Sequence, residues 1–472
     1  MNAKVDLEVD IIIMAAGKGT RMKSKLPKVL HKLAGRALLQ HVVDTAAVLA
    51  PRSMVAITGH GATEVIAACA AFPWARGQNS LHFVLQEPQL GTGHAVQQAV
   101  PVLQDGGITL VLSGDVPLMQ ADTLHALVQA CAGTQIALLT IDLADPTGYG
   151  RIVRQGTQVQ AIVEHKDASA AQRAIGEIYS GIMAAPTHLL KKYLALLDNH
   201  NAQKEFYLTD VVKHAVAAGT PVVAVKTLDA VQVAGVNSPV QLQELEREFQ
   251  KRNAHQLMEQ GVRLADAARI DVRGSLGCGQ DVSIDVNCVF EGTVLLADGV
   301  QIGAHCHIAH CSIAAGAVIH PFTHIDGGDA LGVQVGAGAL VGPFARLRPG
   351  AQLGEGVHIG NFVEVKNSTL AAGAKANHLA YLGDATVGER VNYGAGSITA
   401  NYDGANKHRT VIEADVHIGS NCVLVAPVTI GAGGTVGGGS TITKSTPAGA
   451  LSVARGKQVS LAGWSRPVKL KK

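Results

Sequence analysis

The chain has 472 residues, 47% of them hydrophobic, and a formal net charge of +2 from 39 basic and 37 acidic side chains. This length predicts at least two domains, and the balanced charge excludes the strong basic field of a nucleic-acid-binding protein. The N-terminal segment lacks the pattern of a secretory signal, and no apolar run is long enough to span a membrane. Seven scattered cysteines predict free thiols in a reducing cytoplasm. We therefore expect a cytoplasmic protein with neither a nucleic-acid nor a membrane partner.

The first half of the chain predicts alternating strands and helices. Short apolar runs typical of buried strands occur at Val9–Met14, Met54–Thr58, His82–Gln86 and Ile108–Ser113. Helical stretches lie between them, at Leu38–Leu49 and His94–Leu103. This alternation predicts a mostly parallel α/β sheet, whose ligands bind beyond the carboxyl ends of the strands.

Two polar segments directly follow predicted strands. Gly17 and Gly19 follow the first one, and they allow backbone amides to approach a phosphate that Lys28 could neutralise. The same glycines are compatible with a plain turn. Asp115 follows the fourth strand, where a carboxylate suits Mg²⁺ beside substrate phosphates or, alternatively, caps a turn or helix.

These loops and several further segments resemble the sugar-nucleotide pyrophosphorylase family. In chain order the segments are GKGTRM from Gly17, LPK from Leu26, QEPQLGTGHA from Gln86, GDVP from Gly114, TGYGRI from Thr147 and VEHK from Val163. The resemblance covers most of residues 8–237 and implies a Rossmann-like nucleotidyltransferase. Such enzymes transfer a nucleotidyl group from a nucleoside triphosphate to a sugar 1-phosphate and release pyrophosphate.

The segment Pro239–Gly261 has no internal glycine or proline, and its apolar residues have near-helical spacing. It predicts a linker helix over residues 239–261, between a first domain at 1–238 and a second at 262–472. The two sides differ in composition, since 20 of the 53 glycines occur up to Gly261 and 33 after it.

A six-residue period dominates the second domain. Large aliphatic residues recur in two unbroken series, Val335, Val341, Leu347, Leu353, Ile359 and Val365, and Ile412, Ile418, Leu424, Ile430, Val436 and Ile442. Four residues after each member of the first series comes a smaller one: Ala339, Ala345, Ala351, Val357, Val363 and Thr369. This hexapeptide repeat predicts a parallel β-helix whose aliphatic residues point inward. The family with this repeat has a left-handed, three-sided helix, commonly trimerises, and includes many acyltransferases that use acyl-CoA. Coils stacked about 4.8 Å apart predict roughly ten coils in this domain.

The histidines of this domain require separate interpretations. His305, His307 and His310 flank two cysteines, but Cys306 takes a small inward position, so its neighbours point outward and a metal site is disfavoured. His378 lies near a break in the period at Asn401–Lys407. An insertion in a solenoid often forms a binding loop, so His378 is either a general base or an ordinary surface histidine.

Along nearly its whole length, the chain resembles the family of bifunctional N-acetylglucosamine-1-phosphate uridyltransferases and glucosamine-1-phosphate acetyltransferases. The resemblance rests on the earlier segments and on FARLRPGA, GNFVEVKN, HLAYLGDA, ITANYDGANKH and LVAPVT. It implies four small-molecule substrates: UTP, glucosamine 1-phosphate, N-acetylglucosamine 1-phosphate and acetyl-CoA. It also implies Mg²⁺ as cofactor and a homotrimer.

For the first domain, the resemblance implies nucleotide and sugar contacts at Met14, Ala15, Ala16, Gly17, Lys28, Gln86, Gly91, Thr92, Ser113, Gly114, Asp115, Gly150, Glu164, Tyr179 and Asn237. Among them, Gln86, Gly91 and Thr92 would contact uracil, and Asp115 and Asn237 would bind Mg²⁺. Gly150 and Glu164 would contact the sugar. The family usually has Asn where this chain has Tyr179, so the sugar contact at that position is an open question.

For the second domain, the resemblance implies that His378 is the general base. Glucosamine 1-phosphate would contact Arg348, Lys366, Tyr381 and Asn392. Acetyl-CoA would contact Ala395, Asn401, Tyr402, Ser420, Gly438 and Arg455, with Gly438 replacing the more usual Ala.

Two other functions compete with this interpretation. One is a single-activity pyrophosphorylase with a regulatory β-helix, which has no need of the His378, Lys366 and Asn392 set. The other is a non-enzymatic nucleotide-exchange subunit of translation initiation, in which intact GKGTRM, LPK and GDVP segments would be unnecessary. We therefore expect a bifunctional enzyme of UDP-N-acetylglucosamine synthesis.

Overall fold

A computed structural model describes residues 8–72 and 81–469. The chain divides into two compact units, Met1–Phe249 and Gln250–Lys472, called unit 1 and unit 2 below. Within the described residues, no helix is both long and apolar enough to cross a membrane.

Unit 1 is built on a mixed sheet covered by helices. Its strands are β1 Val9–Met14, β2 Lys32–Leu33, β3 Arg36–Ala37, β4 Ser53–Thr58, β5 Leu81–Leu85, β6 Ile108–Ser113, β7 Ile136–Asp142, β8 Arg151–Gln155, β9 Gln158–Val163, β10 Glu177–Pro186 and β11 Val222–Lys226. Its helices are α1 Leu38–Ala47, α2 Ala62–Cys69, α3 Thr92–Ala99, α4 Ala121–Cys131, α5 Ala170–Arg173, α6 Thr187–Leu194 and α7 Asp210–Ala217. Within the described part of this unit, 3₁₀ turns lie at Thr20–Met22, Lys28–Leu30, Val100–Val102 and Ala230–Val233.

The main sheet has the strand order β11-β7-β10-β6-β1-β4-β5. All neighbours on this path are parallel except β10, which runs antiparallel to both β6 and β7. The central strand β1 is buried along Asp10–Ile13, and its alternate residues belong to two apolar clusters, one on each face of the sheet. Burial on both faces explains why its sequence is a continuous apolar run rather than an alternating one.

The four predicted strands are confirmed to within one residue, and the two predicted helices to within two residues at their starts and a few at their ends. The predicted linker segment contains helix α8, Pro239–Glu259. Leu245 of α8 is buried in a cluster of unit 1, whereas Ala254 and Leu257 are buried in the core of unit 2.

Unit 2 is a parallel β-helix whose coils present strands to three faces. Face A contains β12 Arg263–Leu264, β14 Ser283–Ile284, β16 Gln301–Ile302, β18 Val318–Ile319, β21 Leu340–Val341, β24 His358–Asn361, β27 Lys375–His378, β30 Asn392–Tyr393, β33 His417–Ile418, β36 Thr435–Val436 and β38 Leu451–Ser452. Face B contains β19 His324–Asp326, β22 Arg346–Leu347, β25 Glu364–Lys366, β28 Tyr381–Gly383, β31 Ile398–Ala400, β34 Val423–Val425 and β37 Thr441–Ile442. Face C contains β20 Val333–Val335, β23 Gln352–Leu353, β26 Thr369–Leu370, β29 Ala385–Val387, β32 Thr410–Ile412 and β35 Val428–Ile430. In the first coils, faces B and C are formed by single longer strands that run through both faces. These strands are β13 Ile270–Cys278, β15 Cys288–Leu296 and β17 His307–Ile313.

The predicted inward positions are confirmed with one exception. Every member of both aliphatic series is at most 5% exposed, and so are the first five smaller residues. Thr369 is exposed, so its predicted inward position is wrong, and Ser368 and Leu370 are buried instead. The chain takes a five-residue step from Val365 to Leu370, which shortens that coil by one residue and shifts the inward register.

Two segments leave the β-helix at the same corner, between faces B and C, which we call corner BC. Residues 327–332 include the short helix α9, Gly328–Leu331, and follow β19. Residues 401–409 follow β31 and include the predicted interruption at Asn401–Lys407, closed by a bridge between Tyr402 and Lys407. The opposite end of face B, where it meets face A, is called corner AB.

Candidate active sites

A cleft of about 440 Å³ opens at the carboxyl ends of β1 and β6. Its lining includes most of the predicted nucleotide contacts: Met14, Ala15, Ala16, Gly17, Lys28, Gln86, Gly91, Thr92, Ser113 and Asp115. Gly114 lies between two of them, and its backbone N–H donates to the Met14 carbonyl at 2.9 Å. Glu205 also lines the cleft, and sequence reasoning did not identify it.

Two glycines, one lining the cleft and one in the loop that follows β1, are required by close approaches of the chain. Gly19 has φ +59°, and a Cβ there would lie 2.7 Å from the Cβ of Lys28. Gly91 has φ +110°, and a Cβ there would lie 2.6 Å from the carbonyl oxygen of Phe206. The Gln86 side-chain amide donates to the Gly91 carbonyl at 2.9 Å. The glycines therefore bring Lys28 against the first loop and hold Gln86 at the cleft wall.

Three polar groups converge at the floor of the cleft. The ammonium of Lys28 forms an ion pair with a carboxylate oxygen of Asp115 and donates to the side-chain oxygen of Asn237 at 3.1 Å. The backbone N–H of Val236 donates to the Asp115 carbonyl at 2.9 Å, which fixes the following Asn237 beside that strand end. Asp115 and Asn237 thus direct two oxygen atoms at one positive charge.

A second group of predicted contacts comprises Gly150 directly before β8, Glu164 directly after β9 and Tyr179 on β10. The backbone N–H of Tyr179 donates to the Gly150 carbonyl at 2.9 Å. Glu164 accepts a hydrogen bond from Thr209 at 3.0 Å, and burial raises the pKa of its carboxyl group. Burial and the charge of Asp115 raise the pKa of the neighbouring Tyr149, which links this group to the cleft floor.

In unit 2, His378 ends β27 at corner AB and is exposed. Its Nδ1 lies 2.9 Å from the side-chain oxygen of Asn361. Because an amide oxygen only accepts, Nδ1 carries the proton and Nε2 of the neutral ring has a free lone pair. The arrangement can therefore remove a proton from a group placed beside Nε2.

The predicted acetyl-CoA contacts divide into two sets. Ala395, Ser420, Gly438 and Arg455 occupy corner AB in successive coils above His378. Backbone hydrogen bonds connect them in order, from Gly396 to His378, from Asn421 to Ala395 and from Gly439 to Ser420, and the Arg455 guanidinium donates to the Gly438 carbonyl at 2.7 Å. At about 4.8 Å per coil, this column suits an elongated ligand.

Asn401 and Tyr402 lie instead at corner BC. Asn401 is buried and donates to Asp384, whereas Tyr402 is exposed and donates to the Gly404 carbonyl at 2.6 Å. Burial opposes ionisation of Asp384, but hydrogen bonds from Asn367 and Asn401 outweigh it and lower the pKa of that carboxyl group.

The predicted glucosamine-phosphate contacts also lie on two faces. Arg348 directly follows β22 and Lys366 ends β25, so both lie at corner BC of face B. The Arg348 guanidinium donates to the Glu364 carboxylate at 2.7 Å. Tyr381 begins β28 on the same face, with its hydroxyl directed toward Gly383. Asn392 begins β30 on face A and is therefore separated from the other three within one chain.

Lys407 is a further cation at corner BC that sequence reasoning did not assign. Its ammonium is the main cause of a lowered pKa of Lys366, with burial and the charge of Arg348 acting in the same direction. Two ammonium groups so close together repel each other unless an anion neutralises them. The interrupted repeat at Asn401–Lys407 predicts a loop here, but only the folded structure shows that Lys407 lies beside Lys366.

The fold and these sites define a nucleotidyltransferase unit followed by a hexapeptide-repeat transferase unit. Two family models agree: a MobA-like NTP transferase domain matches residues 11–206, and the bacterial transferase hexapeptide family matches residues 332–367 and 409–444. Three curated relatives are called bifunctional protein GlmU. That of Polaromonas naphthalenivorans (strain CJ2) is 76% identical over 98% of both chains, and that of Albidiferax ferrireducens (strain ATCC BAA-621 / DSM 15236 / T118) is 73% identical over 98% of this chain and all of its own. That of Cupriavidus pinatubonensis (strain JMP 134 / LMG 1197) is 57% identical over 98% of this chain and 99% of its own.

The chain belongs to the GlmU family. It is a bifunctional uridyltransferase and acetyltransferase of UDP-N-acetylglucosamine synthesis. The predicted fold class and activities are confirmed, and the single-activity and non-enzymatic alternatives are wrong.

Proposed function

We propose that residues 1–238 carry uridylyl transfer and residues 262–472 carry acetyl transfer, with residues 239–261 joining the two. The observation that carries this proposal is the convergence of Lys28, Asp115 and Asn237 at strand ends of unit 1. The column above His378 in unit 2 supports a second, separate site.

In unit 1, the phosphate of N-acetylglucosamine 1-phosphate attacks the α-phosphorus of UTP, and pyrophosphate leaves. Catalysis of such a displacement rests on positioning and neutralisation of charge. The loop at Ala15, Ala16 and Gly17 presents backbone to the nucleotide, and Lys28 supplies a positive charge to its phosphates. Gln86, Gly91 and Thr92 form the wall proposed for uracil, while Gly150, Glu164 and Tyr179 form the wall proposed for the sugar.

Mg²⁺ is the proposed cofactor of this reaction. One carboxylate and one amide oxygen, from Asp115 and Asn237, suit a hard cation that takes its remaining ligands from phosphates and water. The Lys28 ammonium pairs with both of these oxygens, which supports a site for positive charge. When bound, the ion supplies charge neutralisation on the substrate phosphates.

In unit 2, the amine of glucosamine 1-phosphate attacks the thioester carbonyl of acetyl-CoA, and coenzyme A leaves as the thiol. The amine must first lose a proton, which Nε2 of His378 accepts while Asn361 holds the ring through Nδ1. Arg348 and Lys366 lie at corner BC, at the other end of face B from His378, so we assign neutralisation of the phosphate to these two residues of a neighbouring copy. The corner AB column binds acetyl-CoA.

We further propose a homotrimer in the cytoplasm. Tyr381 on face B and Asn392 on face A cannot meet within one chain, but flat faces packed around a threefold axis would bring one from each copy together. Sedimentation velocity of the full chain at assay concentration should give three times the chain mass, and a fully active monomer would contradict the assembly.

One product analysis tests whether the two reactions occur at separate sites. The full chain is mixed with glucosamine 1-phosphate, acetyl-CoA and UTP, with either Mg²⁺ or excess chelator. With Mg²⁺ we expect UDP-N-acetylglucosamine, coenzyme A and pyrophosphate. With chelator, acetylation should continue and N-acetylglucosamine 1-phosphate should accumulate, whereas loss of both reactions would overturn the proposal.

A further inference from the structure

The side chain of Tyr179 is buried, yet its hydroxyl has no hydrogen-bond partner within the described residues. An unpartnered buried hydroxyl destabilises the fold relative to a paired one, because its desolvation is not compensated. A phenylalanine would fill the same space without that cost. The hydroxyl therefore requires an explanation, such as a partner that is present only in the liganded enzyme.

The surroundings of Tyr179 indicate where that partner binds. Its backbone N–H is bonded to Gly150, and the Glu164 charge is close enough to contribute to a raised pKa of the phenol, whose main cause is burial. A Cβ on Gly150 would lie 3.6 Å from a Glu164 carboxylate oxygen, so these three residues share one small region. The phenol is therefore neutral at physiological pH and is a donor beside an acceptor carboxylate.

These complementary groups suit different substituents of a sugar. Glu164 can only accept when ionised, which matches the O–H donors of a sugar ring. The phenol proton needs an acceptor, and the acetamido carbonyl is the neutral substituent of N-acetylglucosamine that cannot donate from its oxygen. We propose that the Tyr179 hydroxyl donates to the acetamido carbonyl of N-acetylglucosamine 1-phosphate and makes the uridyltransferase selective for the N-acetylated sugar. This inference rests on the proposed sugar wall of unit 1.

The variant Tyr179→Phe tests the inference because it removes only the hydroxyl. We expect a roughly 2- to 13-fold higher KM for N-acetylglucosamine 1-phosphate, the loss typical of one neutral hydrogen bond. The KM for UTP and the acetyltransferase rate should not change. Glucose 1-phosphate lacks the acetamido group, so its kcat/KM should be nearly unaffected and the preference for the N-acetylated substrate should narrow.

Tyr193→Phe is the matched control. Tyr193 is also buried in unit 1, but its hydroxyl is paired with that of Thr220 at 2.5 Å. Removing that paired hydroxyl should lower the thermal midpoint without changing sugar selectivity. Tyr179→Phe should show the reverse, an unchanged or higher midpoint with reduced selectivity.

Other outcomes contradict the inference in distinct ways. An unchanged KM in a folded, active Tyr179→Phe enzyme would show that the hydroxyl does not contact the sugar. Equal losses with both sugar phosphates would overturn the acetamido assignment. If the Phe variant does not fold, Tyr179→Asn replaces it, and because its amide still donates, it should retain selectivity for the N-acetylated sugar; loss of selectivity would count against the inference. An inactive wild-type enzyme would instead refute the proposed function.

Discussion

The two units assemble their sites in opposite ways. In unit 1, Lys28, Asp115 and Asn237 come from segments more than 80 residues apart and meet only because the sheet brings strand ends to one edge. In unit 2, Arg348 and Lys366 are one coil apart at the same corner, as are Ser420 and Gly438. A period in the sequence therefore specifies neighbours in unit 2, whereas unit 1 requires the whole topology.

The interiors differ as well. Unit 1 buries the ionisable side chains of Asp10, His41 and Arg151. In unit 2 the carboxyl group of Asp384 is buried, and the other buried polar side chains are mainly hydroxyls, thiols and amides. Burial of ionisable groups links stability to pH. The comparison predicts that a substitution in one unit leaves the reaction of the other unit unchanged. It also predicts that the stability of unit 1 depends on pH.

The largest expected effect is that of Asp115→Ala. Loss of the carboxylate leaves Lys28 without its ion-pair partner and removes one of two proposed Mg²⁺ ligands. Uridylyl transfer should fall by at least about 1,000-fold, as expected when several kcal/mol of charge stabilisation are lost. Pyrophosphate release measures this, and acetyl transfer should be unaffected. Asp105→Ala, at an exposed carboxylate paired with Lys191, is the control and should be fully active. Near-normal uridylyl transfer in Asp115→Ala would remove this residue from the mechanism.

His378→Ala should have the next largest effect, confined to the other reaction. Loss of a general base should slow acetyl transfer by about 10²–10⁴-fold while substrate binding changes little. Supplied with N-acetylglucosamine 1-phosphate, the variant should make UDP-N-acetylglucosamine at the normal rate. His305→Ala, at an exposed histidine of the same corner stacked on Phe322, serves as control. Equal loss of both reactions in a folded protein would refute the independence of the two sites.

Lys407→Ala should have a smaller effect on the same half-reaction. Removing one of the clustered cations should raise the KM for glucosamine 1-phosphate by at least about 10-fold, because charge-assisted hydrogen bonds contribute about 1.5–3 kcal/mol. The KM for N-acetylglucosamine 1-phosphate in uridylyl transfer should not change. Lys407→Arg, which keeps the charge, should recover part of the loss. An unaltered KM in Lys407→Ala would mean that Lys366 and Arg348 bind the phosphate alone.

The smallest expected effect concerns stability. Burial lowers the pKa of His41 from 6.5 to about 4, although its hydrogen bond to the Leu33 carbonyl opposes the shift. The folded-state pKa lies below the unfolded value, so the stabilisation is complete above pH 6.5 and is lost as the pH falls toward 4. At full shift it amounts to about 3 kcal/mol.

Urea unfolding of wild type and His41→Gln at pH 7.5 and pH 4.5 measures this contribution. The wild type should lose more unfolding free energy on acidification than the variant, by up to about 3 kcal/mol. His305→Gln, at an exposed histidine, should follow the wild type. Identical pH dependence in all three proteins would show that the imidazole of His41 does not govern acid sensitivity.

Sequence reasoning succeeded where a pattern repeats and failed where the pattern shifts. Both aliphatic series were predicted correctly. Thr369 was predicted to point inward because the six-residue period was extended through a coil that is one residue shorter, and the five-residue step before Leu370 moves Thr369 outward. Helix α9 was not predicted, since four residues at a corner have no periodic signal. In unit 1 the strand ends were predicted, whereas the antiparallel direction of β10 was not, because direction depends on pairing between distant segments.

The regular stacking of coils also limits how the chain can change in length. Deletion of a single residue between Arg348 and Lys366 would move one of them off corner BC, because the intervening chain is regular coil. The segments at 327–332 and 401–409 can change in length more easily, because they leave the stack and return to it. A whole additional coil, by contrast, would preserve the inward register of every residue above it. Length variation in this half of the molecule should therefore occur in multiples of one coil or at corner BC.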